Sequence, residues 1–235
     1  MLYISLFLFF LGEVQKTAEE YYRNGEYEEA LQEYKKYLEK GIVNPELYLN
    51  IGNCYYRMGE FGESLLYYRR GWFLSPGNKN IKHNIYLIAK REETPNPFFS
   101  FFRGLIDRIS LRTFSYLLAL SFNLLVGVLS ICLLQRVKLI NFPTYPFLFI
   151  TGFFFVFSLL GFSSWYGRVK SNWLVITETT IAYSGPGEQF KELMRVEETE
   201  EGNLIREENG WWLVQFQEGE GGWIDSTKAM RVLNR

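Results

Sequence analysis

Side chains able to move protons or bind metals are few and scattered in this chain. One histidine, His83, and two cysteines, Cys54 and Cys132, are all the imidazole and thiol chemistry in 235 residues. Cys54 falls in a soluble-type helical stretch and Cys132 in an apolar one, so together they predict neither a disulfide nor a metal site. No Gly-Lys-Ser/Thr loop, Gly-x-Ser-x-Gly elbow or His-Glu-x-x-His pair occurs. The carboxylates come as neighbours, Glu19-Glu20, Glu28-Glu29 and Glu200-Glu201, which is the pattern of solvated surface. The expectation is a non-catalytic protein with no cofactor, so its candidate residues are those that could bind.

The first set follows from a repeat. Asn24-Gly25 and Met58-Gly59 punctuate a helical pattern at an interval of 34 residues. With Pro45 as the first residue of a 34-residue unit, Tyr48, Ile51, Gly52, Tyr55, Gly59, Phe61, Tyr68 and Pro76 take bulky, small and terminating places. In this Pro45 to Asn78 resembles a tetratricopeptide (TPR) repeat. One period earlier Ala18, Tyr21, Gly25, Tyr27, Ala30 and Tyr34 fill the same places, so Gly12 to Asn44 resembles a first repeat. Ser64, Tyr37 and Gly71 depart from it, standing where alanine is usual. A third helix, Asn80 to Glu93, with Ile81, Ile85, Ile88 and Ala89 on one face, would cap the open end and bring the helices to five.

The resemblance implies a concave surface made by the first helix of each repeat. It should carry Tyr22, Arg23, Leu49, Asn50, Asn53, Tyr56 and Arg57 as contacts for a peptide. In repeats that grip a C-terminal carboxylate, Lys and Asn hold set places. Gln15 and Glu19 stand there instead and only Asn50 fits, so that clamp is not expected.

The second set lies after Lys170, where short runs rich in Val, Ile, Trp, Tyr and Thr are broken by Gly185, Gly187, Gly202, Gly210 and Gly219 to Gly222. This is the pattern of a small all-β domain. Tyr183-Ser-Gly-Pro-Gly187, Gly210-Trp-Trp-Leu-Val214 and Gly222-Trp-Ile224 are similar in order and spacing to bacterial SH3-like domains, over about Leu174 to Leu233. The resemblance implies a five-stranded barrel with Trp211, Val214, Trp223 and Ile224 in its core. Tyr183, Phe190 and Trp212 are its candidate ligand surface, for a peptide or a cell-wall fragment, although core packing is the commoner role for an aromatic side chain.

Between the two sets lie the elements that must position them. Phe114 to Leu134 and Tyr145 to Trp165 are runs of 21 residues without a charge. At about 1.5 Å per residue each reaches roughly 30 Å, the hydrocarbon thickness of a bilayer. They read as two transmembrane helices around a short loop, 135–144, where Pro143 and Pro146 keep the first helix from running into the second. No Asp or Glu occurs between Asp107 and Glu178, whereas Arg108, Arg112, Arg136, Lys138, Arg168 and Lys170 flank the runs. Tyr116, Tyr145, Trp165 and Tyr166 sit where an interfacial aromatic belt belongs. The lipid bilayer is thus an expected partner, and two spans return the chain to the side it left.

The remaining segments complete the layout. Residues 1–12 read as a signal peptide or N-terminal anchor, 13–93 as TPR-like repeats with their cap, 94–113 as a linker and interfacial amphipathic helix, and 172–235 as the SH3-like domain. The export-like leader places repeats and barrel on the periplasmic side of a bacterial inner membrane, with a cytoplasmic loop between the spans. The formal net charge of −1 conceals a division, since residues 171–235 hold 6 basic and 12 acidic side chains. That acidic domain argues against nucleic acid as a partner.

Leader, two TPR-like repeats, membrane hairpin and SH3-like barrel, in that order, resemble the BatE type of the Bat aerotolerance family. The resemblance implies an adaptor working in envelope stress with membrane proteins that carry von Willebrand factor A-like domains and with a MoxR-type ATPase. The alternative reading is a peptidoglycan-binding or envelope-sensing protein acting through the barrel.

Overall fold

The computed structural model describes residues 17–89, 111–136, 145–170, 172–216 and 219–233. The expected leader, the linker with its amphipathic helix up to residue 110, and positions 137–144 of the loop lie outside the described residues. The chain divides into two compact units: Pro95–Ser171 is one, and Met1–Thr94 with Asn172–Arg235 is the other.

Five helices open the chain as expected: α1 over residues 17–24, α2 (Tyr27–Glu39), α3 (Pro45–Met58), α4 (Phe61–Leu74) and α5 (Lys79–Ala89). Their ends repeat with the 34-residue period. Asn44 Oδ1 accepts the Leu47 amide at 2.7 Å with Pro45 in the first turn, and one period later Asn78 Oδ1 accepts the Ile81 amide at 3.2 Å. Each supplies an acceptor to amides that the first helical turn leaves without partners. Gly25 and Gly59 close α1 and α3 in the left-handed region, at φ 84° and 85°.

Packing explains two departures from the repeat pattern. A Cβ on Gly52 would lie 2.5 Å from the Tyr68 ring, so glycine lets that ring cross α3. Ser64, fully buried beside it, donates its hydroxyl to the Gly52 carbonyl at 2.8 Å, a bond that alanine would lack. At Gly71, the Pro45 carbonyl, Tyr48 Cβ and Ile81 Cδ1 all stand within 3.3 Å of where a Cβ would be.

Beyond residue 171 the chain is a seven-stranded antiparallel sheet. Its strands are β1 (Trp173–Ile176), β2 (Thr180–Tyr183), β3 (Glu192–Val196), β4 (Glu201–Glu208), β5 (Trp211–Phe216), β6 (Gly221–Asp225) and β7 (Ala229–Arg231), in the order β3-β2-β6-β5-β4-β1-β7. Asn209 and Gly210, at φ 49° and 82°, make the tight β4–β5 turn that only such residues adopt readily. The all-β expectation holds, but seven strands replace the five expected. The extra count comes from the ends of the segment, where β1 pairs with both β4 and β7. Val214 and Ile224 are buried in the core with Leu174, Ile176, Val196 and Leu204, and Trp223 is nearly so. Trp211, expected in the core, is only half-buried.

Array and sheet, legible in the sequence only as two modules, share a core. Leu65, Leu66, Trp72, Ile81, Ile85 and Ile88 pack with Val175 and Val232. The Trp72 and Trp173 rings meet edge to face at 6.1 Å. Arg69 lies over Trp173 at 4.7 Å and grips Glu201 with two bonds, Nε to Oε1 at 2.6 Å and Nη2 to Oε2 at 2.7 Å. Arg70 donates to the carbonyls of Val232 at 3.1 Å and Arg231 at 3.0 Å. At Gly62 a Cβ would stand 2.5 Å from Thr177 Cα, so α4 approaches β1 to backbone contact.

The second unit is a pair of helices, α6 (Leu111–Arg136) and α7 (Tyr145–Lys170). Over Thr113–Arg136 and Pro146–Ser163 the mean hydropathy is 2.5 and 1.9, and both helices are long and apolar enough to cross a bilayer. Only 6% and 11% of those stretches are buried, unlike the core helices of a water-soluble fold. Where the two helices touch, Phe114 is fully buried on Gly161, whose missing Cβ would lie 2.1 Å from its ring. Ser121 and Ser158 are also buried, donating to the carbonyls of Leu118 and Phe154 in their own helices. Small residues at such a contact let the helices approach closely.

Candidate functional site

The first helix of each repeat, with α5 as the first helix of an incomplete third, forms one wall of the array. In that wall lies a cavity of about 230 Å³ lined by Tyr22, Asn53, Tyr56, Arg57, Tyr68, Asn84 and Leu87. Tyr22 comes from α1, Asn53, Tyr56 and Arg57 from the last two turns of α3, and Asn84 and Leu87 from α5. Tyr68 belongs to α4 and reaches the cavity across Gly52.

The floor is a hydrogen-bonded set. Asn53 Oδ1 accepts from the Tyr68 hydroxyl at 2.7 Å and from Asn84 Nδ2 at 3.0 Å. Burial pushes the Tyr68 phenol up to about 12, with the Ser64 and Asn84 hydrogen bonds pulling the other way, so it stays a donor at neutral pH. At the rim Arg57 Nε donates to the Tyr22 hydroxyl at 3.4 Å, and this bond leads the factors holding the guanidinium protonated. The Tyr22 ring is braced edge-on by Tyr27 at 5.3 Å and Tyr56 by Phe61 at 5.6 Å. These braces also recur at the 34-residue interval.

A family model described as TPR repeat matches residues 18–59. None of the curated proteins matches the chain. The matched stretch contains α1 to α3 and four of the lining residues. Repeats of this kind generally mediate binding of protein partners, so the coarse functional statement is a protein-binding scaffold.

Of the seven residues expected on the concave face, the cavity gathers Tyr22, Asn53, Tyr56 and Arg57. Arg23 points to solvent and pairs with Glu19 at 3.5 Å. Leu49 packs against the core shared with the sheet. Asn50 is half-buried and does not line the cavity. Asn84 and Leu87 were missed, yet they stand one period after Asn50 and Asn53. Carrying the 34-residue count into the third helix finds both.

Of the three aromatic candidates of the sheet, Tyr183 and Trp212 lie on opposite faces. Tyr183 meets Trp211 edge-on at 5.6 Å. Trp212, facing the other way on β5, packs partly against the core with Arg231 over its ring at 5.2 Å. Phe190 folds over Gly185 and remains 41% exposed.

Proposed function

We propose that this chain is a non-catalytic membrane adaptor whose helical array holds a segment of a protein partner. The observation that carries the reading is the cavity: four residues chosen for their places in the repeat line one concavity, in the stretch that matches the TPR family. In this reading α6 and α7 span the bilayer and anchor the array and the sheet on one face of it. The core shared by Leu65, Val175 and Val232 supports that arrangement, because segments on opposite sides of a membrane cannot pack together.

The finer features belong to the same proposal. The sheet is an SH3-like domain that braces the end of the array. The membrane is the bacterial inner membrane, with array and sheet in the periplasm and the loop near residue 141 in the cytoplasm. The partners are those of a Bat-type envelope-stress complex, membrane proteins with von Willebrand factor A-like domains and a MoxR-type ATPase. The peptidoglycan-binding reading has less behind it, since Tyr183 and Trp212 lie on opposite faces of the sheet.

The test is crosslinking in intact cells followed by purification, comparing the parent with Tyr56→Ala combined with Arg57→Ala. Neither side chain belongs to the buried core, so abundance should hold while the crosslinked partner is lost. Unchanged capture would exclude this face. Reporter fusions after Glu93, Asn141 and Arg235 should read periplasm, cytoplasm, periplasm.

A further inference from the structure

The cavity has a chemical polarity that selects among peptides. Among the described residues its single charge is the Arg57 guanidinium, and no described carboxylate lines it. Among the described residues the two terminal nitrogens of Arg57 have no hydrogen-bond partner, its Nε alone being engaged, with Tyr22. The carbonyl of Asn53 is already taken by two donors from the floor, and among the described residues its –NH2 has no hydrogen-bond partner. Asn84 spends its amide on the floor, on the Asn53 carbonyl and the Tyr68 hydroxyl. Arg57 and Asn53 therefore present the unspent N–H groups, while the hydroxyls of Tyr22 and Tyr56 serve as donors as readily as acceptors. The Leu87 side chain and the tyrosine rings supply apolar wall between them.

We infer that the cavity receives the carboxylate side chain of a Glu or Asp within an extended segment of the partner. This deepens the adaptor reading and rests on it. Charge complementarity carries the choice: a donor-rich site with one fixed guanidinium matches one carboxylate, which accepts at two oxygens. A basic segment would place like charge on Arg57, and a purely apolar one would strand the Arg57 guanidinium and the Asn53 amide without partners.

The test uses the full-length protein in detergent micelles and a random nonapeptide library with acetylated and amidated ends. Peptides retained by the parent protein should be enriched in Glu or Asp over Gln or Asn at one position. For the best of them, Arg57→Gln should weaken affinity about tenfold, with Arg57→Lys retaining part of it and both variants melting at the parent temperature. Binding lost in Tyr56→Ala but showing no acidic preference, or a preference unchanged in Arg57→Gln, would overturn the carboxylate assignment and leave the adaptor standing. Retention only from a second library with free C-terminal carboxylates would overturn it in favour of a chain end. No peptide retained from either library would sink both proposals.

Discussion

Glu198 caps a helix to which it does not belong. Its Oε1 accepts the backbone amide of Gly62 at 2.6 Å, in the first turn of α4, whose own N-cap residue Glu60 makes no side-chain cap. A carboxylate there serves an otherwise unpartnered N–H and sits at the positive end of the helix dipole. Glu198→Ala should lower the unfolding free energy by about 1 kcal/mol in thermal melts of the detergent-solubilised protein, as loss of a cap does. Gly62→Ala should cost more, about 1–3 kcal/mol, because the new methyl meets backbone at Thr177 and Ile176 rather than a movable side chain.

The pair Arg69 and Glu201 makes a different prediction. Their side chains are only 13% and 4% exposed. Removing Arg69 takes a two-bond ion pair from a largely buried carboxylate, so Arg69→Met should destabilise by about 3–5 kcal/mol. The double variant Arg69→Met with Glu201→Met should be less damaging than Arg69→Met alone. Additive losses in that double-mutant cycle would mean the pair is not coupled.

Alkaline pH should loosen the helical array. Burial pushes the Cys54 thiol from 9.0 up to about 12, and the Tyr55 and Tyr68 phenols from 10.0 up to about 12. Each is raised on folding, so its contribution is intact below its unfolded value and is lost as pH climbs toward the folded one. Melting temperature should therefore begin to fall near pH 9 and fall more steeply above pH 10. Tyr68→Phe should flatten that slope while costing about 1 kcal/mol at neutral pH for the bond to Asn53. A parent protein with a flat profile between pH 9 and 11 would refute the assignment.

For the two apolar helices the expectation is retention. Carbonate washing of membranes should leave the full chain in the pellet, and detergent should release it. Gly161→Leu, which drives a side chain into the space of Phe114, should lower thermal stability by about 1–3 kcal/mol without releasing the protein from the membrane. Recovery of the chain in the carbonate supernatant would remove the anchor from the proposed function.

Legibility in the sequence followed the range of the interactions. The 34-residue period carried the helices and turns, because caps such as Asn44 and Asn78 are local devices. The same count would have carried Asn84 and Leu87 had the third helix been read as a repeat rather than as a cap. The two aromatic neighbours Trp211 and Trp212 were placed on the wrong sides, since alternation along a strand says that they differ in face but not which one turns inward. The junction of array and sheet was not legible. Gly62, Arg69 and Arg70 look like ordinary helix-surface residues until partners more than 130 positions away are in place.

The shared core of α4, α5 and the sheet sets an order on biogenesis. Leu65 and Ile85 leave the ribosome before α6 and α7, whereas Val175 and Val232 leave after them, so under the proposed anchoring the repeats wait half-finished while the hairpin enters the bilayer. Only a hairpin inserted with both flanks facing the same compartment lets the late strands dock. A chain left with its two flanks on opposite sides would expose an uncovered apolar face to proteases.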